Sequence, residues 1–138
     1  MDLRTISDTV TVSPQISAAD VPAIAAAGYR SILCNRPDGE SAGQPDFAEI
    51  EAAARAAGLE TWFQPVISGH VSDQDSADFR AAIEALPEPV FAYCRTGTRC
   101  AVLWSLAQAG QMSVDDIMQA TKAAGYDLAA LTPRLGTP

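Results

Sequence analysis

Residues 90–100 read Val-Phe-Ala-Tyr-Cys-Arg-Thr-Gly-Thr-Arg-Cys, and this stretch decides how the rest of the chain is interpreted. Its apolar start, directly after Pro89, predicts a short buried strand, and the apolar residues that follow Cys100 predict a helix. The polar residues between them form a loop at the start of that helix. Backbone N–H groups at a helix N-terminus point toward the loop and bind anions.

The same strand–loop–helix order recurs along the chain. Apolar runs predict strands at 3–6, 9–13, 29–34, 59–64 and 90–93, and amphipathic segments predict helices at 17–27, 45–57, 76–86, 100–109 and 114–124. This alternation predicts a three-layer α/β fold, with a mostly parallel central sheet flanked by helices. Ligands of such sheets bind beyond the carboxyl ends of the strands, where loops 35–44, 65–75 and 94–99 are expected to converge.

Length and composition narrow the function classes. A chain of 138 residues predicts one domain over 1–138, and its net charge of −8 opposes binding to nucleic acid or to an anionic membrane. No apolar run reaches the length of a membrane span, and the segment 1–5 lacks the features of a signal peptide, so a cytoplasmic protein is expected. The oligomeric state stays open.

Cofactors and metals are not expected. The three cysteines and single histidine lack the spacing of a zinc site or a disulfide scaffold. No dinucleotide glycine fingerprint and no Gly-Lys-Ser/Thr nucleotide loop is present, so neither NAD nor ATP is predicted. The partner expected from the cysteine loop is a small anionic substrate.

Cys94 is the candidate nucleophile. A thiol at the base of a helix N-terminus has a lowered pKa, and Arg95 and Arg99 add positive charge beside it. Gly97 permits a tight turn, and the Thr96–Thr98 backbone completes an anion cradle. The alternative is that Cys94 is an ordinary buried thiol and that the arginines are surface charges.

Two known loops resemble this one. The pattern Cys-Arg-x-Gly-x-Arg resembles the active-site loop of rhodanese-type sulfurtransferases, and, with one residue missing, the Cys-x5-Arg loop of cysteine-dependent phosphatases. Nearly the whole chain resembles the phosphatase-like domain family of bacterial beta-lactamase-hydrolase-like proteins, whose members are also named as sulfur transferases. That resemblance rests on segments 16–17, 28–29, 35–40 and 94–99. It implies a cysteine-phosphatase-like fold with Cys94 as nucleophile.

The short loop favours sulfur transfer through a persulfide on Cys94. A phosphate ester has three non-bridging oxygens to hold, and a loop one residue shorter offers a smaller cradle. The alternative reaction is hydrolysis of a phosphate monoester, such as a tyrosine phosphate, through a cysteinyl-phosphate. A third interpretation is a non-catalytic module that binds anions or senses redox state.

Other candidate residues lie on the converging loops. Hydrolysis needs a general acid, for which Asp75 or Asp73 is the candidate, although acidic residues before a helix are commonly caps. Supporting roles are predicted for Arg36, Asp38, His70 and Cys34, with turn formation, solvent exposure or core packing as the alternatives. Either Cys34 or Cys100 is a candidate resolving thiol for Cys94.

Overall fold

In the computed structural model, residues 2–136 are described, and five strands form one mixed sheet. The strands are β1 (Arg4–Thr5), β2 (Val10–Ser13), β3 (Ser31–Cys34), β4 (Glu60–Phe63) and β5 (Val90–Tyr93). Their order across the sheet is β1-β2-β5-β3-β4. Only β1 runs antiparallel to its neighbour; the other three pairings are parallel, so the predicted mostly parallel sheet is confirmed.

Five α-helices pack on the two faces of the sheet. They are α1 (Val21–Ala26), α2 (Phe47–Ala56), α3 (Asp73–Ala85), α4 (Thr98–Ala107) and α5 (Val114–Ala123). Short 3₁₀ helices precede α1, at Ala18–Asp20, and follow α5, at Ala129–Arg134. Within residues 2–136, no helix combines the length and the apolar character needed to cross a membrane.

The central strand β5 shows how one apolar run supplies two cores. Side chains alternate between the faces of a strand. Val90 and Ala92 join the core beneath α3, α4 and α5, whereas Phe91 and Tyr93 join the core beneath α1 and α2. All four residues are at most 1 % exposed. The three-layer arrangement expected from the sequence is therefore observed.

Two helices begin earlier than the sequence pattern predicts. The apolar periodicity places the start of α3 near residue 76, but Ser72 caps the helix and α3 begins at Asp73. Similarly, α4 begins at Thr98 and not at Cys100, with Gly97 as its N-cap in the left-handed conformation (φ 88°). Both first turns are polar, which is why hydrophobic periodicity misses them.

Strand register aligns the loops that form the site. Ser13, Cys34 and Tyr93 are register partners at the carboxyl ends of β2, β3 and β5. The hydrogen bonding continues one residue further, where the Asn35 amide donates to the Tyr93 carbonyl (3.0 Å) and the Cys94 amide donates to the Ser13 carbonyl (3.3 Å). Cys94 is thereby fixed at the edge of the sheet, directly before α4.

Candidate active site

A cavity of about 660 Å³ lies at the carboxyl edge of the sheet. All three loops that the sequence places at this edge contribute to it, together with α4 and the 3₁₀ helix Ala129–Arg134. Its lining residues are Arg36, Glu40, Ser68, Gly69, Val71, Cys94, Arg95, Thr96, Thr98, Arg99, Val102, Leu131 and Arg134. The predicted convergence of loops 35–44, 65–75 and 94–99 is observed.

Cys94 lies at the base of this cavity, and its side chain is almost fully enclosed (1 % exposed). The Gly97 amide donates a hydrogen bond to Cys94 Sγ at 3.2 Å. The largest effect on the pKa of Cys94 is a hydrogen bond from the Cys100 thiol, which lowers it. Burial raises the pKa. The backbone amides of Cys100 and Gly97 and the positive charge of Arg99 lower it further. The resulting pKa of Cys94 is about 6, so the thiolate predominates at neutral pH.

Gly97 and Tyr126 fit closely together. Gly97 has a φ of 88°, and a Cβ atom there would overlap the Tyr126 hydroxyl. That hydroxyl donates to the Thr96 carbonyl at 3.2 Å, so Tyr126, which follows α5, anchors the loop 94–99. The sequence reasoning did not identify Tyr126, because it lies 30 residues from the loop and in no recognisable motif.

Arg99 is buried and is held by the other two loops. Its Nη1 donates to the Val66 carbonyl (2.9 Å) and to Glu40 Oε2 (3.0 Å), and its Nη2 donates to Glu40 Oε1 (3.1 Å). Its Nε is buried and has no hydrogen-bond partner among the described residues. The Arg99 guanidinium also lies close enough to Cys94 to lower the pKa of that thiol, so this unpaired donor belongs to a positively charged group beside the thiolate.

Glu40 is a site residue that the sequence reasoning did not single out, although the segment 35–40 carried the family resemblance. It accepts from Arg99 and also from Arg36 Nε (3.0 Å). Burial raises the pKa of Glu40, but the hydrogen bonds and charges of Arg99 and Arg36 outweigh it, so that its pKa is lowered overall. Glu40 therefore stays ionised and orients Arg99.

Arg36, for which the sequence predicts a supporting role, lies in the cavity wall. Besides Glu40, it donates to Gln15 Oε1 (3.1 Å) and Ser41 Oγ (2.8 Å). Arg95, Thr96 and Thr98 also line the cavity and are exposed to it.

Four candidates are not brought to the cavity. Asp75 accepts from the Ser72 amide (3.0 Å) in the capping box of α3, and Asp38 accepts from the Phe47 amide (2.8 Å) at the start of α2. His70 lies on an exposed turn beside the lining residue Gly69. Cys34 is buried and donates to the Arg36 carbonyl (3.3 Å). For these residues the geometry supports the structural alternatives: helix caps, an exposed loop residue and a core thiol.

The two other cysteines differ from Cys94 in ionisation. Burial raises the pKa of Cys34 to about 11 and raises that of Cys100 well above its usual range. Of the three thiols, Cys94 is therefore the one that ionises most readily. Within the part of the chain that the structure describes, no group of three or more His, Cys, Asp or Glu side chains is placed to hold a metal ion.

Comparison with known proteins identifies the family. The model of the beta-lactamase hydrolase-like protein, phosphatase-like domain family matches residues 2–111. The chain belongs to this family. It is 37 % identical over 129 residues to a beta-lactamase hydrolase-like protein of Agrobacterium fabrum, and 35 % identical over 130 residues to one of Xylella fastidiosa. These matches cover 92 % and 93 % of the chain but 30 % of each relative, so the chain spans less than a third of their length.

Solved structures show the same fold. A crystal structure named as a "putative phosphatase" of Neisseria meningitidis matches with a TM-score of 0.88 at 40 % identity, covering 98 % of this chain and 96 % of that one. The Pseudomonas aeruginosa protein TpbA, in complex with phosphotyrosine, matches with a TM-score of 0.67 at 14 % identity, covering 97 % and 87 %, which supports the fold alone. The expected cysteine-phosphatase-like fold is confirmed. The family description and the name of the Neisseria structure favour the phosphatase interpretation over the sulfur transfer that loop length favours.

Proposed function

We propose that this protein hydrolyses phosphate monoesters through a cysteinyl-phosphate on Cys94. The observation that carries the proposal is a thiol with a pKa of about 6 at the base of a cavity, beneath a helix N-terminus and beside a buried arginine. Such a group is a nucleophile at neutral pH, and the phosphatase-like family and fold give the reaction class in which it acts.

The reaction has two balanced steps. The Cys94 thiolate attacks phosphorus, forming an S–P bond as the bond to the ester oxygen breaks, and the leaving group departs as an alkoxide or phenoxide that takes a proton from water. Water then attacks phosphorus, giving inorganic phosphate and the free thiolate. Throughout, the Gly97 amide and the Arg99 guanidinium stabilise the charge at the base of the cavity.

The leaving group restricts the substrate. Among the described residues that line the cavity, Glu40 is the only carboxylate, and its two arginine partners lower its pKa, so it does not donate a proton. Without a general acid, esters of acidic alcohols react fastest, since their alkoxides leave unprotonated. We therefore expect aryl phosphates to be better substrates than alkyl phosphates.

A series of aryl phosphates that differ in the acidity of the phenol tests this proposal. Wild-type protein should release phosphate, with a rate that falls steeply as the phenol becomes less acidic, and Cys94→Ser should release none. Cys34→Ser is the matched control, because that thiol does not line the cavity, and it should retain the activity. No Cys94-dependent release from any member of the series would refute the proposal.

Sulfur transfer is the second candidate, supported by a specific feature of the loop. Arg99 follows Cys94 at five positions, one fewer than in the Cys-x5-Arg loop, and a persulfide needs neither a cradle for three oxygens nor a general acid. In that reaction the thiolate takes the outer sulfur of thiosulfate, releasing sulfite, and passes it to cyanide. Cys94-dependent thiocyanate formation without phosphate release would establish this candidate instead.

A further inference from the structure

The cavity is rich in positive charge, whereas the chain as a whole is acidic. The protein has a net charge of −8, yet four of its eight arginines line this one cavity: Arg36, Arg95, Arg99 and Arg134. Three of the others pair with neighbouring carboxylates on the surface: Arg4 with Asp2, Arg55 with Glu51, and Arg80 with Glu84. The cavity is therefore a concentrated cationic site on an acidic protein.

The four cavity arginines fall into two groups. Arg36 and Arg99 are buried and share Glu40, with Arg99 close to the Cys94 thiolate. Arg95 is exposed, and its side chain has no hydrogen-bond or ion-pair partner within residues 2–136. Arg134 is 40 % exposed and pairs with Asp73, whose own side chain is 99 % exposed. An ion pair so open to water is weak, so an incoming anion can displace Asp73 from Arg134.

The 3₁₀ helix Ala129–Arg134 supplies an apolar contact beside the outer charge. Side chains three residues apart on a 3₁₀ helix lie on the same face, and Leu131 and Arg134 both line the cavity. Val71 and Val102 line it as well. A volume of about 660 Å³ is within the range of sites for drug-sized ligands, and a single phosphoryl group fills only part of such a space.

We propose that Arg95 and Arg134 form a second anion subsite, so that the substrate carries a further anionic group, a phosphate or a carboxylate, beside the one that reacts at Cys94. The proposal rests on the proposed function in one respect, namely that the reacting phosphate binds at Cys94. The second subsite itself is tested by measuring binding, without turnover.

Alkane diphosphonates with one to four methylene groups, compared with the alkyl monophosphonates of the same length, test the subsite. None of these compounds can be hydrolysed, and the series scans the separation of the two anions. In calorimetric titrations of the full chain, the best diphosphonate should bind at least about tenfold more tightly than its monophosphonate partner, because a second charged group gains a guanidinium partner.

Variants assign that advantage to the two arginines. Arg95→Ala/Arg134→Ala should abolish the advantage of the diphosphonate, lowering diphosphonate affinity at least about tenfold more than monophosphonate affinity. Remaining monophosphonate binding and an unchanged circular dichroism spectrum show that the variant is folded. Arg80→Ala, on a surface pair elsewhere, should behave as wild type, and Asp73→Asn should strengthen diphosphonate binding by releasing Arg134. The proposal would be overturned if the wild type bound the best diphosphonate less than about tenfold more tightly than its monophosphonate, or if the double variant kept that preference. Aryl phosphate turnover, measured separately, reports on the proposed function alone.

Discussion

Adding one methyl group at Gly97 perturbs the Cys94 cradle and leaves the rest of the molecule unchanged. In Gly97→Ala the new Cβ overlaps the Tyr126 hydroxyl and approaches its Cζ to 3.1 Å. The backbone there has a φ of 88°, which alanine adopts only at a cost of about 1–2 kcal/mol. Because the Tyr126 hydroxyl is itself bonded to the Thr96 carbonyl of this loop, we expect the overlap to displace the loop and to move the Gly97 amide away from Cys94 Sγ.

The size of the effect follows from that hydrogen bond. A hydrogen bond to a charged group contributes about 1.5–3 kcal/mol, and one pKa unit corresponds to about 1.4 kcal/mol. Losing the 3.2 Å bond from Gly97 to the thiolate should raise the pKa of Cys94 from about 6 by roughly one to two units. At pH 7, about half or more of Cys94 in the variant should be protonated.

The rate of Cys94 alkylation by iodoacetamide, measured from pH 5 to 9, reports this pKa, because the thiolate reacts and the thiol does not. Gly110→Ala is the matched control: its φ of 81° imposes the same backbone strain, but nothing lies within 4 Å of the added Cβ. Adding Tyr126→Phe to Gly97→Ala removes the hydroxyl and should restore part of the low pKa. If Gly97→Ala titrates as the wild type does, the cradle does not stabilise the thiolate.

Two further variants test one carboxylate that lines the cavity, Glu40, and one that does not, Asp75. Glu40→Gln should lower the free energy of unfolding in urea by about 1.5–3 kcal/mol, because the buried guanidinium groups of Arg36 and Arg99 lose the carboxylate that they share, and it should lower kcat/KM for aryl phosphates. The control Glu84→Gln, in an exposed pair, should change stability by less than about 1 kcal/mol. Unchanged stability in Glu40→Gln would show that Glu40 does not hold the arginines. Asp75→Asn should leave aryl phosphate turnover unchanged, because Asp75 caps α3; a loss of about 100-fold or more would restore it as the general acid.

The fold could be predicted from the sequence because local patterns and the topology rules agree. Apolar runs that alternate with amphipathic helices specify a parallel sheet, and β5 is recognisable from residues 90–93 alone. The starts of α3 and α4 were harder to predict, because polar capping residues and not apolar periodicity determine them. The antiparallel edge strand β1 has two residues, too few for a pattern to show its direction.

The site could be predicted only where one segment holds the chemistry. Cys94, Arg99 and the loop amides lie within six residues, so strand–loop–helix order brings them together. Glu40 contacts Arg99 from 59 residues away in the sequence, and Tyr126 contacts Thr96 from 30 residues away. Such tertiary contacts cannot be predicted from spacing along the chain. Conversely, the sequence pattern places Asp75 on a converging loop, but in the structure it lies in the first turn of α3, where its carboxylate caps the helix.

Rapid-quench mass spectrometry during turnover of an aryl phosphate tests most directly whether Cys94 is a phosphatase nucleophile. If Cys94 is the nucleophile, a peptide in which Cys94 carries the mass of one phosphoryl group should form and disappear at the rate of turnover, and it should be absent from Cys94→Ser. A Cys94 that gains the mass of one sulfur from thiosulfate, and never a phosphoryl group from the ester, would show that the cradle transfers sulfur. An unmodified Cys94 during phosphate release would contradict the assignment of this thiolate as the nucleophile.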